Sequence, residues 1–326
     1  MEKYKLTVLG AGTWGIALSS LLVDNGHEVT LYGHRKSTCD NVRNGINKLG
    51  IKLKETVKIT NDLEEACRNE IIIIAIPSIY IKDTLIKIKP LVRENTIIVN
   101  ASKGIEAEEG KIFSEVIKEI LDMCENCVLS GPVHAEELSR KLPAACVLAC
   151  ENDFIAKKLQ NILTNDYFRI YTNRDVLGVE LSGAAKNVIA IAAGIIEGLK
   201  DGDNAKAALI TRGINEISEL GIKMGGKRET FYGLAGLGDM IVTCTSMHSR
   251  NCRAGILIGE GKSLNEVLEK IGMVVEGVNA TKTICKLALK YDVEMPITKE
   301  VEKVLWQGKD PKECIKDLMR RNKISE

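Results

Sequence analysis

The chain has 326 residues, 45% of them apolar and 27% charged, with a formal net charge of +1. That length exceeds one ordinary hydrophobic core, so two domains are expected. The balance of charge excludes the basic excess of a nucleic-acid binder, and an anionic ligand must be met by a local cluster of cations.

The first residues, Met1-Glu2-Lys3-Tyr4-Lys5, run straight into a short apolar strand and lack the apolar core of a signal peptide. No apolar stretch reads as long enough to cross a bilayer, so no membrane span and a cytoplasmic location are expected. Apolar spacing then predicts a strand over 6–9 and a helix over 14–23, stopped at Asn25-Gly26, followed by a strand over 28–32. Residues 71–76 are apolar on both faces, as in a strand buried within a parallel sheet, and Pro77 ends them. Further strands are predicted at 96–100, 127–130, 144–149 and 167–171, with helices near 80–89, 112–122, 133–141 and 153–164. Strand and helix in alternation predict a doubly wound α/β sheet.

The pattern changes near Asn173. From there only two prolines occur, Pro296 and Pro311, and helical stretches are predicted around 175–199, 203–220, 250–259, 263–271, 276–290 and 296–307. The expected domains are therefore 1–176 and 177–326, the second all-α.

Ten cysteines in a chain without a secretion signal read as reduced, mostly buried thiols. Cys124 and Cys127 form the one Cys-x-x-Cys. Two ligands fall short of the four that structural zinc wants, so no metal is expected, and the pair reads as two small residues at a helix-to-strand junction. A redox role for it is left open.

Gly10-Ala11-Gly12-Thr13-Trp14-Gly15 follows a strand and opens a helix, the context that gives Gly-x-Gly-x-x-Gly meaning. Gly10 permits the tight turn, Gly12 lets the backbone approach a pyrophosphate, and Gly15 lets helix and strand pack. These features make 1–176 an NAD(P)-binding Rossmann-type domain. An NAD-selective site places an acidic residue at the end of the second strand. Here stand Gly33-His34-Arg35-Lys36, with no acid before Asp40. Arg35 suits a 2′-phosphate, which favours NADP(H) and leaves NAD(H) open; a solvated basic turn is the plainer alternative.

The segment from Glu180 to Ile196 is small or apolar on every side, so it reads as a helix buried all round. Lys186 and Asn187 in its middle are costly to bury unless paired or held at a cleft. Gly183, Ala190 and Gly194 give the lysine's face a stripe of small residues, where another backbone or a ligand comes close. A desolvated lysine serves as acid or base near neutral pH.

With these residues in view, the chain resembles the bacterial NAD(P)-dependent glycerol-3-phosphate dehydrogenases nearly from end to end. The matching stretches are Gly10 to Gly15, Ser102-Lys103-Gly104, Ser130-Gly131-Pro132-Val133-His134-Ala135-Glu136 and Glu180 to Asn187. They continue with Asp203 to Gly213, Gly233 to Asp239, Ser249-Arg250-Asn251 and Val275-Glu276-Gly277. The resemblance implies interconversion of sn-glycerol 3-phosphate and dihydroxyacetone phosphate, supplying glycerol phosphate for phospholipids. It also implies a 6-phosphogluconate-dehydrogenase-like helical C-terminal domain and a possible homodimer. Carried onto matching positions, Lys186, Lys103 and Asp239 are the catalytic residues, with Lys186 the general acid/base. Gly131, Val133, Asn187, Ser249, Arg250 and Asn251 join them in holding substrate. Cofactor contacts fall on Gly10, Gly12, Thr13, Trp14, Gly15, His34, Arg35, Lys103, Ala135, Arg250, Val274 and Glu276. Valine at 133 departs from the Ser or Thr common there, so only its backbone N–H is left to serve the substrate. Glu180 reads as a structural acceptor, and His134 is given no role. Two other readings share the architecture: a two-domain hydroxy-acid or sugar-phosphate dehydrogenase, and a non-catalytic NADP-binding sensor. Ser249-Arg250-Asn251 favours a phosphorylated substrate, and the second has no need of a lysine in a buried helix.

Overall fold

Isoleucine, valine and leucine dominate the runs that pair as strands, and their β-branched or bulky side chains suit a pleated surface covered on both faces. The computed structural model describes residues 2–322; residue 1 and residues 323–326, the outer ends of the two expected domains, lie outside the described residues. The chain divides into two compact units, Met1–Glu106 with Lys111–Glu180, and Ala107–Gly110 with Leu181–Glu326.

The first unit is built on one sheet, with eight strands among the described residues. They are β1 (Lys5–Leu9), β2 (Glu28–Tyr32), β3 (Lys58–Thr60), β4 (Ile71–Ile74), β5 (Ile97–Asn100), β6 (Glu125–Ser130), β7 (Ala144–Cys150) and β8 (Phe168–Asn173). Their spatial order is β3-β2-β1-β4-β5-β6-β7-β8. Alternate residues serve opposite cores: Leu6, Val8, Leu31, Ile71 and Ile73 lie on one face, and Leu9, Ile72, Ile74 and Ile98 on the other. The four isoleucines of β4 are all buried, so the continuous apolar run marks a central strand.

Two features depart from the alternating pattern. Strand β3 has three residues, one of them buried, and is too short and polar to give a period-two signal. Strand β7 runs antiparallel to β6 in a sheet otherwise parallel. A parallel crossover needs a covering helix of some length. The helix expected over 133–141 shrinks to Ala135–Leu138, followed by Lys141 at φ 60° and then Pro143, and the chain simply doubles back.

The second unit is helical. Its central helix, Val176–Leu199, is 24 residues long, and the division between units falls within it, after Glu180. By length and composition this helix would cross a bilayer, which corrects the expectation that no stretch is long enough. It is a core helix instead, its most apolar window buried throughout. The stripe of small residues receives backbone. A Cβ built on Gly194 would stand 2.1 Å from the Cys252 carbonyl oxygen, and one on Gly255 would stand 2.1 Å from that of Ile191. Gly198 and Gly259 repeat the contact one turn on, so Val176–Leu199 crosses Arg250–Gly259 through paired Gly-x-x-x-Gly faces. The helix Glu276–Lys290 also closes on it, where a Cβ on Gly277 would lie 2.5 Å from the Asn187 carbonyl oxygen. Helices at 203–223, 264–271 and 296–307 fall within a few residues of expectation. Arg228–Phe231, the π-helical Leu234–Gly238, Asp239–Thr245 and Pro311–Met319 had no clear apolar period to announce them.

Candidate active site

In the first unit the turn after β1 opens directly into the helix Thr13–Asp24. Gly10 has φ 122°, and a Cβ there would lie 2.4 Å from the Ala75 carbonyl oxygen, so only glycine makes this turn. A Cβ on Gly15 would strike the Gly10 carbonyl oxygen at 1.8 Å, which fixes how closely the helix seats on the strand. Gly12 is different: it is exposed, and a built Cβ would meet nothing within 4 Å. Gly12 is also the N-cap, with no side chain bonded to the first turn. Open space before a helix N-terminus without a side-chain cap fits a dinucleotide's pyrophosphate.

Trp14 and Ala135, expected near the cofactor, have structural contacts. The Trp14 indole N–H donates to the Ala101 carbonyl at 3.0 Å, and Ala135 is buried in the core. Arg35 is exposed at the N-cap position of Lys36–Arg43, beside exposed His34. The first acid after β2, Asp40, is held by Arg43 at 2.7 Å. The end of β2 therefore presents cations, which suits a 2′-phosphate better than ribose hydroxyls.

Beyond β5 and β6 the loop residues converge on one carbonyl. Lys103 Nζ donates to the Gly131 carbonyl at 3.0 Å, and the Val133 N–H donates to the same oxygen at 2.9 Å. The amide expected to serve the substrate is thus spent on a tight turn, and the Val133 side chain packs against the core. Glu180 is wholly buried, accepting from Asn100 Nδ2 at 2.8 Å and from the Ser114 N–H at 2.9 Å. Burial pushes its carboxyl above the usual range, against those donors. Its place is structural.

In the second unit Lys186, three turns into Val176–Leu199, directs Nζ at Asp239 Oδ1, 2.7 Å away. Asp239 stands in the first turn of Asp239–Thr245, entered from the π-helical Leu234–Gly238, and it is 1% exposed. Gly238 holds the N-cap position, and the Asp239 side chain faces the lysine. Thr243, one turn on, also accepts from Lys186 Nζ and donates its hydroxyl to the Asp239 carbonyl at 2.6 Å. Thr243 was missed in the sequence; its i+4 spacing from Asp239 on one helix face was the available signal.

Ser249 caps Arg250–Gly259, accepting from the Cys252 N–H at 3.1 Å. Arg250 donates to the Val274 carbonyl at 2.9 Å, just before the helix that Glu276 opens. Asn251 donates to Asn187 Oδ1 at 2.8 Å and accepts the Gly277 N–H at 2.9 Å. Asn187 and Asn251 therefore join three helices, and their amides are partly committed to that task. Within this unit the structure brings Lys186, Asp239 and Thr243 into one cluster, and Asn187, Asn251 and Gly277 into another. Among the described residues no group of three or more His, Cys, Asp or Glu side chains is placed to hold a metal.

Both units match one family of known proteins. The family model for the N-terminus of NAD-dependent glycerol-3-phosphate dehydrogenase matches residues 5–156, and that for its C-terminus matches residues 175–316. A glycerol-3-phosphate dehydrogenase [NAD(P)+] of Fusobacterium nucleatum is 48% identical, covering 98% of this chain and 97% of that protein. One from Thermoanaerobacter sp. is 49% identical over 99% of this chain and 98% of its own. The crystal structure of glycerol-3-phosphate dehydrogenase from Coxiella burnetii superposes with a TM-score of 0.94 at 38% identity, over 98% of this chain and 99% of that one. With its glycine turn, its buried Lys186–Asp239 pair and matches across both units, this chain belongs to the NAD-dependent glycerol-3-phosphate dehydrogenase family.

Proposed function

We propose that the chain interconverts sn-glycerol 3-phosphate and dihydroxyacetone phosphate with NADP(H) or NAD(H), supplying glycerol 3-phosphate for phospholipid synthesis. Its relatives' names and full-length identity support the reaction. The observation that carries the chemistry is the buried cluster of Lys186, Asp239 and Thr243.

The Gly10–Gly15 turn and the N-terminus of Thr13–Asp24 would hold the dinucleotide's phosphates, with Arg35 at its 2′-phosphate. When bound, the nicotinamide supplies or accepts the hydride. The remaining chemistry is proton transfer and charge stabilisation by this chain's own side chains. In reduction, Lys186 as an ammonium polarises the ketone and gives its proton to the oxygen at carbon 2. In oxidation, Lys186 as an amine takes the hydroxyl proton back. Asp239 stabilises the ammonium, and the Thr243 hydroxyl fixes the direction of Nζ. In the first unit Lys103 and Gly131, and in the second Asn187, are assigned to the substrate; the Val133 N–H, committed to its turn, is not. Ser249, Arg250 and Asn251 are assigned to its phosphate, where a helix N-terminus and a guanidinium both favour an anion.

A cytoplasmic location and a homodimer belong to the same proposal and rest on the family resemblance. The decisive experiment is oxidation of NADPH and NADH by the purified protein with dihydroxyacetone phosphate, for wild type and Lys186→Ala. Turnover by wild type alone is expected. No turnover with either nucleotide would overturn the substrate assignment.

A further inference from the structure

Cys124-x-x-Cys127 looks like a pair in the sequence, but the structure separates its members. Cys124 precedes β6 and sets its thiol toward the Arg93 carbonyl. Cys127 lies inside β6, and its directly opposed partner in the antiparallel β6–β7 ladder is Cys150. Opposed residues share a face of the sheet with Cα atoms about 4.5–5.5 Å apart. That spacing falls within the roughly 4.4–6.8 Å spanned by disulfides. Both thiols are buried in the same core cluster, at 0% and 1% exposure.

We propose that Cys127 and Cys150 are a reversible oxidation site that hydroperoxides convert to a disulfide across β6 and β7. Their surroundings give the two sulfurs different roles. The neighbouring Cys127 thiol holds the Cys150 thiol below its ordinary pKa despite burial, with the Asn152 N–H assisting. The Cys150 neighbour, followed by burial, pushes the Cys127 thiol up. Cys150 is therefore the attacking sulfur. Its thiolate takes one oxygen of the peroxide as the O–O bond breaks, giving a sulfenic acid and a hydroxide, which is protonated to water. The Cys127 sulfur then attacks the sulfenic sulfur; the S–O bond breaks and a second water leaves with the thiol proton. Two thiols are oxidised by two electrons and one hydrogen peroxide is reduced to two waters. A resolving thiol directly opposed on the next strand intercepts the sulfenic acid before it reaches the irreversible sulfinic state. The opposed register asks for no change of strand pairing.

The test treats the full-length protein with hydrogen peroxide, then unfolds it, alkylates the remaining thiols and maps them by peptide mass spectrometry. The expected result is a Cys127–Cys150 cross-link that forms before other thiols are lost and that dithiothreitol reverses. In Cys127→Ser the expected product is a Cys150 sulfenic acid that a dimedone probe captures, advancing to sulfinic acid at higher peroxide. Exposure alone favours Cys124, the one cysteine among the described residues that is not buried. Loss of Cys124 while Cys127 and Cys150 remain alkylatable overturns the proposal, as does a cross-link to any other cysteine.

Discussion

Lys186 Nζ and Asp239 Oδ1 lie 2.7 Å apart with 4% and 2% of their side chains exposed, so the two charges are held together away from water. Breaking such a pair from one side leaves a buried charge without its counter-ion, at a cost of about 3–5 kcal/mol. Asp239→Ala is therefore expected to lower the urea midpoint sharply and to abolish turnover. Replacing both members, Lys186→Met with Asp239→Leu, is expected to recover most of the stability and none of the activity. Urea titrations and turnover assays on wild type and the two variants check this; an Asp239→Ala protein as stable as wild type would refute it.

Thr243 holds the lysine from a second side, accepting from Nζ while its own proton goes to the Asp239 carbonyl. A hydrogen bond to a charged group is worth about 1.5–3 kcal/mol. Thr243→Val keeps the shape and removes the oxygen, and its kcat is expected to fall by about tenfold to a hundredfold. Thr243→Ser restores the oxygen and most of the rate. Equal losses in the valine and serine variants would mean that packing, not the hydroxyl, matters at this position.

Arg35 is exposed, and the acid nearest along the chain, Asp40, is occupied by Arg43. Arg35→Ala is expected to raise KM for NADPH by about tenfold to a hundredfold, the scale of one charged phosphate contact. KM for NADH should stay within about twofold, because no 2′-phosphate is present. Steady-state kinetics with each nucleotide separate the outcomes, and equal shifts would remove Arg35 from cofactor selection.

Much of this was legible because period and punctuation carry physical information. The all-apolar 71–76 announced a buried central strand, and a glycine turn between strand and helix announced a phosphate site. Lys186 stood out because a cation in an apolar helix needs a partner. Its partners were harder to read. Thr243 lies 57 residues away in a short helix with no clear amphipathic signal, and contacts of that kind are set by tertiary packing. The reversal at β7 was hidden because an antiparallel strand buried on both faces reads like a parallel one. The small stripe around Gly194 left open whether a ligand or a backbone would fill it, and sequence alone does not choose.

At that stripe Gly194 and Gly255 are packed Cα to backbone. A methyl group on Gly194 would stand 2.1 Å from the Cys252 carbonyl oxygen, so Val176–Leu199 and Arg250–Gly259 would have to separate. Gly194→Ala is expected to destabilise by about 1–3 kcal/mol, the range for overpacking, although alanine is the better helix former. Gly202→Ala is a control for added side-chain volume, since its Cβ would meet nothing within 4 Å. Its φ of 86° adds local strain of its own, so the comparison is made on catalysis as well as on the midpoint. Gly194→Ala should displace the Ser249–Arg250 cap and raise KM for dihydroxyacetone phosphate; Gly202→Ala should leave that KM unchanged. An unchanged KM together with an unchanged midpoint in Gly194→Ala would show that the crossing tolerates a methyl group.

Glu216 supplies a pH dependence with no link to catalysis. Its carboxylate accepts the N–H groups of Ile297 and Thr298 at 2.8 and 3.3 Å, capping the helix Pro296–Gln307. Burial nevertheless dominates and raises its pKa to about 7. The folded state therefore holds this proton more tightly than the unfolded chain, where a glutamate titrates near 4.5. Its contribution to stability is greatest below that value and declines as pH rises toward 7, then stays level once both states are ionised. The span corresponds to about 3 kcal/mol. Glu216→Gln does not titrate, so the stability of the variant relative to wild type should climb by roughly that amount between pH 4.5 and pH 8. Urea unfolding of both proteins across this range checks the sign. Parallel curves would mean that the helix N-terminus keeps Glu216 ionised throughout, and that its burial is fully offset by the donors it caps.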